Sequence, residues 1–392
     1  MATSHQKASI PFYRDERVIR GFAQAVSAIL IIGFVVWAIL NFLEAAQARK
    51  MTLTFGFLQE AAGFPISNPP IEYEPSMTFG RAFTVGLVNT LVVSISGVIT
   101  ATILGTLVAL ARLSSNWLLS RIALAFIEFH RNIPLLVLLF IWYFSAFNNL
   151  PVVKESIEWP GPVFINKRGF YLTWPRLTEA ATPFLVATGI GILLAIILYT
   201  ILRRRRELSG QETYYGPISI AALIIFPIIG WLITDGSPFY LDVPFLKGFN
   251  YQGGLRLTPE FAGIYVSLSM YTAAFIAEVV RAGIQAVDQG QIEAARAVGL
   301  STLQVLSLVI MPQALRVIIP PMISQYLNLT KNSSLALAIG FQEVFSVGKI
   351  AINQAGRAVP VFALVMITYL SLSLLTSLVL NFYNRRIQFV TR

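Results

Sequence analysis

The 392-residue sequence contains no cysteine, which excludes disulfides, thiolate metal sites and cysteine nucleophiles. Histidine is almost as scarce: His5 and His130 are the only two, so imidazole chemistry has little to work with. Charge is thin as well, at 12% of residues, about half of what a soluble domain carries. There is no G-x-x-x-x-G-K-[ST] segment, hence no backbone cradle for nucleotide phosphates. The glycine pair Gly189-Ile190-Gly191 sits inside an apolar run without strand context and is no substitute. A membrane-embedded enzyme would need His, Asp or Cys clustered near a membrane face, and that pattern is missing too.

What is present is apolar surface, 56% of the chain. Several runs reach the ~20 residues that cross a bilayer as helix. The fold class expected is therefore an all-α integral membrane protein rather than two or three soluble domains. Eight transmembrane helices are predicted, at about 22–43, 84–111, 122–149, 183–202, 217–235, 260–281, 317–340 and 361–384. Arg14, Arg17 and Arg20 before the first run, and Ala46-Gln47-Ala48 after it, look like a secretion signal. Its apolar core of ~22 residues is too long for one, so it is read as a retained span.

With the N-terminus placed in the cytoplasm, the inner segments hold 17 Lys and Arg against 8 Asp and Glu, while the outer ones hold 11 of each. This asymmetry satisfies the positive-inside rule and puts both termini in the cytoplasm. It also uses up the net charge of +10, so no basic face remains for nucleic acid.

Between the sixth and seventh spans lies a segment unlike its surroundings, "QGQIEAARAVGLSTLQVLSLVIMPQALR", Gln289 to Arg316. Asp288 to Val298 is rich in Ala, Glu, Gln and Arg, good helix formers. Gly299 suits the left-handed position that ends a helix. Ser301 and Gln304 have the spacing of a capping box, which starts a second helix at once, and Pro312 is expected to end or kink it. Two readings fit this pattern: a rigid knob that receives force from a soluble partner, or an amphipathic helix lying on lipid.

The residues carry a resemblance here. Glu293-Ala294-Ala295, then Gly299, then Val309-x-Met311-Pro312 resembles the EAA loop of ABC importer permeases, with Val and Met at the two aliphatic positions. "AAFIAEVVRAGIQAVDQGQ", "PQALRVIIPPMISQYLNLTKNSSLALAIG", "TVGLVNTLVVS" and "HRNIPLLVLLF" are similar to polar amino-acid permeases, in particular bacterial general L-amino-acid importers. The resemblance implies the ABC type I importer transmembrane fold in the bacterial inner membrane. It also implies two ATP-binding subunits carrying ATP and magnesium, a second homologous permease subunit, and a periplasmic amino-acid-binding protein. No cofactor is implied for this chain itself. On that carry-over Glu293, Ala294, Ala295, Gly299 and Pro312 belong to the ATPase-coupling loop. The implied organisation is a cytoplasmic segment 1–21, an extra first helix and outer segment 22–82, and a type-1 transmembrane domain 83–384. The last contains an insertion at about 150–258 with two extra helices, and a cytoplasmic tail 385–392 follows.

The seventh span carries a charge at depth. Lys331 lies about nine residues from the nearer end, ~13 Å, farther than its stem can snorkel. At 100° per residue Ser324, Gln325, Asn328, Lys331 and Asn332 share one arc, with Ile323, Tyr326 and Leu329 outside it. Such a stripe lines a path or joins helices by hydrogen bonds. Path is the reading adopted, since lysine makes a poor joint without a carboxylate. A secondary transporter using Lys331 for charge compensation is the rival, and it leaves the loop unexplained. Glu278 is a candidate partner for Lys331, but Arg281, three residues on, is the expected one. Pro320-Pro321 should kink the span or free its carbonyls. The run Arg203 to Arg206 reads as a topology anchor in contact with membrane lipid. The outer segments 53–76 and 151–175 fit either a contact with the binding protein or a cap on the bundle.

Overall fold

The computed structural model describes residues 16–48 and 54–387. His5, Lys7, Arg14, Arg392 and much of the two terminal segments lie outside the described residues. In lipid every backbone N–H and C=O must find its partner within the chain. The apolar runs accordingly become helices, and turns gather at prolines, glycines and caps.

Helix α1 (Glu16–Ala48) packs little against the rest, and its apolar window has no buried residue. Thr78 opens α2 (Phe79–Arg112) by accepting a hydrogen bond from the Arg81 N–H. Next come α3 (Trp117–Asn132) and α4 (Leu135–Phe140), the latter continuing as a π-helical stretch, Ile141–Phe147. The predicted third span at 122–149 is thus not one rod. Ile133 is extended, as the residue before a proline is driven to be, Pro134 caps α4, and the chain turns by 107° between the two segments.

After the bend come four short strands: β1 (Ile157–Trp159), β2 (Val163–Asn166), β3 (Gly169–Leu172) and β4 (Trp174–Leu177). The helical hairpin α5 (Thr182–Ser209) and α6 (Tyr215–Ile233) follows. Four more strands complete this region: β5 (Phe239–Asp242), β6 (Phe245–Lys247), β7 (Asn250–Gln252) and β8 (Leu255–Leu257). They pair antiparallel in the order β1-β2-β3-β8, with separate pairs β4-β5 and β6-β7. The spans are helical as expected. These strands were not, because none exceeds four residues and their alternation is lost among turn residues.

The remaining helices are α7 (Pro259–Gln285), α8 (Gln289–Ala297), α9 (Thr302–Gln304), α10 (Met311–Asn332), α11 (Val344–Ala355) and α12 (Ala358–Ile387). A π-helical stretch, Val305–Ile310, joins α9 to α10, and a 3-10 stretch, Ser333–Ile339, extends α10. Pro312 therefore does not end the helix: it follows directly on the π-helical stretch, and helical structure continues through it from Thr302 to Ile339. Helical structure also runs through Pro320 and Pro321. The helix that carries the predicted seventh span, about 317–340, begins earlier, at Thr302, and runs to Ile339. Among the described residues seven helices are long and apolar enough to cross a membrane, and the bent pair would make eight.

Two cores hold the bundle. The larger joins α2, α7 and α10 through Val93, Leu268, Ile276, Ile318 and Leu329. Backbones come close at Gly105, where an added Cβ would lie 2.7 Å from the Ala273 carbonyl and 2.8 Å from Ile276 Cβ. The second core buries Phe57, Phe64, Ile66 and Tyr73 of the outer segment against Phe79, Val344, Val347 and Val361. Within 54–78 the chain packs on the end of the bundle.

A polar knot sits beside that cap. Gln342 accepts from Ser67 N–H (2.7 Å), donates to the Pro65 carbonyl (2.8 Å), and offers its own carbonyl to Asn89 (2.8 Å). Glu343 is fully buried and caps α11, accepting from the N–H groups of Phe345 (2.9 Å) and Ser346 (2.7 Å) and from the Tyr369 hydroxyl (2.6 Å). Burial pushes its carboxyl up, against the hydrogen bonds that favour the charged form. Outer segment, α2, α11 and α12 meet at these two residues.

Gly105→Ala should destabilise the bundle by about 1–3 kcal/mol through overpacking. Gly189→Ala, with open space around it, should be neutral. Thermal unfolding in detergent distinguishes them, and equal melting would refute the close α2–α7 seam. Glu343→Ala should lower the melting point more than Glu343→Gln. It strands the Tyr369 hydroxyl and two N–H groups, at about 1–3 kcal/mol for each buried group left unsatisfied.

Candidate functional site

The loop after α7 is built as a rigid corner. The Asp288 side chain caps α8, accepting from Gly290 N–H at 2.7 Å. On α8, Ile292 packs toward the main core and Ala295 is buried, whereas Glu293, Ala294, Arg296 and Ala297 are exposed. Gly299 has φ +84°, a left-handed conformation that a side chain would strain. Its N–H donates to the Arg296 carbonyl (3.0 Å), and Leu300 N–H donates to that of Ala295 (3.2 Å). These are the two bonds of a Schellman ending, so the turn angle is fixed by hydrogen bonds.

A capping box follows without slack. Gln304 N–H donates to Ser301 Oγ (3.4 Å), and Ser301 N–H donates to Gln304 Oε1 (2.9 Å). Val298 and Leu303, flanking the glycine, are 77% and 73% exposed. Two bare apolar side chains at the tip of an otherwise polar corner suit a protein groove better than water.

The corner feeds directly into the polar stripe, because helical structure runs from Thr302 to Ile339. Ser324, Asn328 and Lys331 are exposed, and Gln325 and Asn332 are half-buried. The opposite face is packed, with Ile323 and Leu329 buried and the Tyr326 hydroxyl 2.9 Å from that of Thr102 on α2. The stripe therefore points away from the chain's own bundle.

Among the described residues no carboxylate is within ion-pair distance of Lys331. Glu278 is taken by Arg281, which donates to it at 2.6 and 3.1 Å, as their spacing predicted. Lys331 and Ser334 instead border an open groove with Phe345, Met366, Tyr369 and Leu370. The structure thus places Glu293, Ala294, Ala295, Gly299 and Pro312 on one corner and its exit, and the five stripe residues farther along the same rod. Sequence reasoning missed Gln342 and Glu343. The signal was there in Gly340-Phe341-Gln342-Glu343, a left-handed glycine followed by an N-capping acid, but it reads like the end of any span.

No group of three His, Cys, Asp or Glu among the described residues could hold a metal ion. Residues 101–389 match the model of a family described as the binding-protein-dependent transport system inner membrane component. The chain is 43% identical to the putative amino-acid ABC transporter permease protein YhdX of Escherichia coli, covering 99% of this chain and all of that one. It is 40% identical to the general L-amino acid transport system permease protein AapQ of Rhizobium johnstonii, over 95% of this chain and 92% of the relative. With the glutamate/glutamine/aspartate/asparagine transport system permease protein BztB of Rhodobacter capsulatus it shares 37% over 94% and 93%. With a multi-pass helical bundle, a fixed corner between two of its long helices and a family match across most of its length, this chain belongs to the binding-protein-dependent transport system inner membrane components, the permease subunits of ABC transporters.

Proposed function

We propose that this chain is a permease subunit of an ATP-driven importer of polar or general L-amino acids, resident in the bacterial inner membrane. Three relatives matched over nearly their whole length carry amino-acid transport in their names, which supports the substrate class. Both termini and the α8 corner lie in the cytoplasm in this reading, since that placement collects the basic excess on one face. Two ATPase subunits bind ATP and magnesium, a second homologous permease completes the path, and a periplasmic binding protein delivers substrate. Residues 83–384 form the type-1 domain, and about 150–258 is an insertion within it.

The observation that carries the mechanism is the continuity between corner and stripe. Glu293, Ala294 and Gly299 present a polar surface with Val298 and Leu303 at its tip, and the ATPase groove takes that surface. ATP binding shifts the corner. Because the Schellman bonds and capping box leave no slack, the shift passes into the rod carrying Ser324, Gln325, Asn328, Lys331 and Asn332. The stripe faces away from its own bundle, toward the second permease, so the path runs between them. Lys331, without a carboxylate of its own, attracts the carboxylate of a passing substrate.

The test is uptake of labelled amino acids into liposomes holding the assembled complex, binding protein and ATP. Gly299→Val forces a side chain into the left-handed region at about 1–2 kcal/mol, and should cut uptake severely while ATP hydrolysis continues. Lys331→Met should lower uptake of anionic and neutral amino acids without loosening the assembly. Normal uptake by Gly299→Val would overturn the coupling role. Uptake by this chain alone under an ion gradient would overturn the importer reading in favour of a secondary transporter.

A further inference from the structure

Lys349 on α11 is exposed, as Lys331 is, and among the described residues neither has a carboxylate within ion-pair distance. Phe345, Lys349 and Ile352 share one arc of ~60° on their helix, at 3.6 residues per turn. That face borders a hollow of about 240 Å³, walled by Phe345, Gly348, Lys349, Ile352, Val361 and Val365. A second hollow, about 660 Å³, is bordered by Lys331, Ser334, Phe345, Val365, Tyr369 and Leu370. Phe345 and Val365 wall both, so the two follow one another along the seam between α11 and α12.

The two helices run antiparallel there. An added Cβ on Gly348 would lie 2.8 Å from Val365 and 3.4 Å from Val361, while Glu343 meets the Tyr369 hydroxyl at 2.6 Å. From Glu343, α11 runs toward the capped end of the bundle, where the Gln354 side chain would be 3.2 Å from a Cβ on Gly63. Lys349 therefore sits nearer the cap, beside Val361 and Phe362, and Lys331 sits deeper, beside Met366 and Leu370. Phe362 and Leu370 are ~12 Å apart along α12 at 1.5 Å per residue.

Apart from the two lysines, Ser334 and the Tyr369 hydroxyl, the walls of the seam are apolar. An ammonium on such a wall is costly unless water or an anion meets it. Glu343 is not that anion: it is fully buried, and its oxygens are held by Tyr369, Phe345 and Ser346.

We propose that this seam is an anion path in which Lys349 is the outer station ahead of Lys331, and that it favours amino acids of net negative charge. The inference rests on the importer reading given above and adds a second cation and a substrate preference to it. A neutral amino acid brings one carboxylate and one ammonium, so two lysines with no facing carboxylate attract one end and repel the other. An acidic amino acid adds a second carboxylate and gains at both stations. Two separate cations also suit passage better than one deep site, because each contact is strong enough to admit the substrate and weak enough to release it.

Glutamate and glutamine have nearly the same size and differ by one charge, so their uptake ratio tests the path. The system is liposomes holding the assembled complex, with its binding protein and ATP. Lys349→Gln should lower the glutamate-to-glutamine ratio about fivefold, the worth of one close ion pair in water. Lys349→Arg, which keeps the charge, should keep the ratio. Melting in detergent should be the same for all three forms, since Lys349 is exposed. A ratio unmoved by Lys349→Gln would overturn the proposal and leave the lysine to lipid headgroups. Equal loss of both substrates would overturn it as well, marking Lys349 as a joint with a neighbouring subunit. Glutamine uptake without glutamate uptake by the unaltered complex would contradict the preference directly. All three results leave the importer reading standing, whereas an unaltered complex that takes up neither amino acid with ATP would overturn both.

Discussion

One left-handed residue sets the geometry on which the rest depends. At Gly299 the chain turns from α8 into the long rod that begins at Thr302, and two backbone hydrogen bonds, to Arg296 and Ala295, hold the turn. A flexible joint there would let α8 move without consequence. A Schellman ending followed at once by a capping box ties α8 to the rod, since relative motion there breaks both sets of hydrogen bonds. The π-helical stretch after Gln304 serves the same continuity. It carries helical structure into Pro312 without a break.

A lever needs a fixed frame. The α2–α7 seam supplies one, because close backbone approach at Gly105 leaves no room for sliding. The Gln342–Glu343 knot locks the far end, tying the outer segment, α2, α11 and α12 through hydrogen bonds around the buried Glu343 carboxylate. The polar stripe lies between the two fixed regions, on the one face of α10 that its own bundle leaves bare.

Much of this was legible in the sequence, and the reasons differ by element. The spans follow from the length of apolar runs, and the corner from three residue choices, Gly299, Ser301 and Gln304, whose preferences are local. The Glu278–Arg281 pair is equally local. The bend at Ile133-Pro134 was concealed because hydropathy does not see direction, although the proline marked it. Pro312 misled in the opposite sense, since the helix runs through it behind a π-helical stretch that the residue pattern does not announce. The burial of Phe57, Phe64 and Tyr73, and the Gln342–Glu343 knot, depend on distant partners, 277 residues away in the Gln342–Pro65 bond. Nothing local encodes them.

The absence of cysteine makes the central claim directly measurable, since spin labels can be placed on introduced cysteines alone. In the assembled complex, one pair of labels at Leu303→Cys and Asn328→Cys reports the length of the rod. A second pair, at Leu303→Cys and Ile99→Cys on α2, reports its position against the frame. Electron–electron distance measurements with and without a non-hydrolysable ATP analogue should show the first separation constant and the second changed. A rod that changes length between Leu303 and Asn328 while its base stays fixed against α2 would contradict the lever.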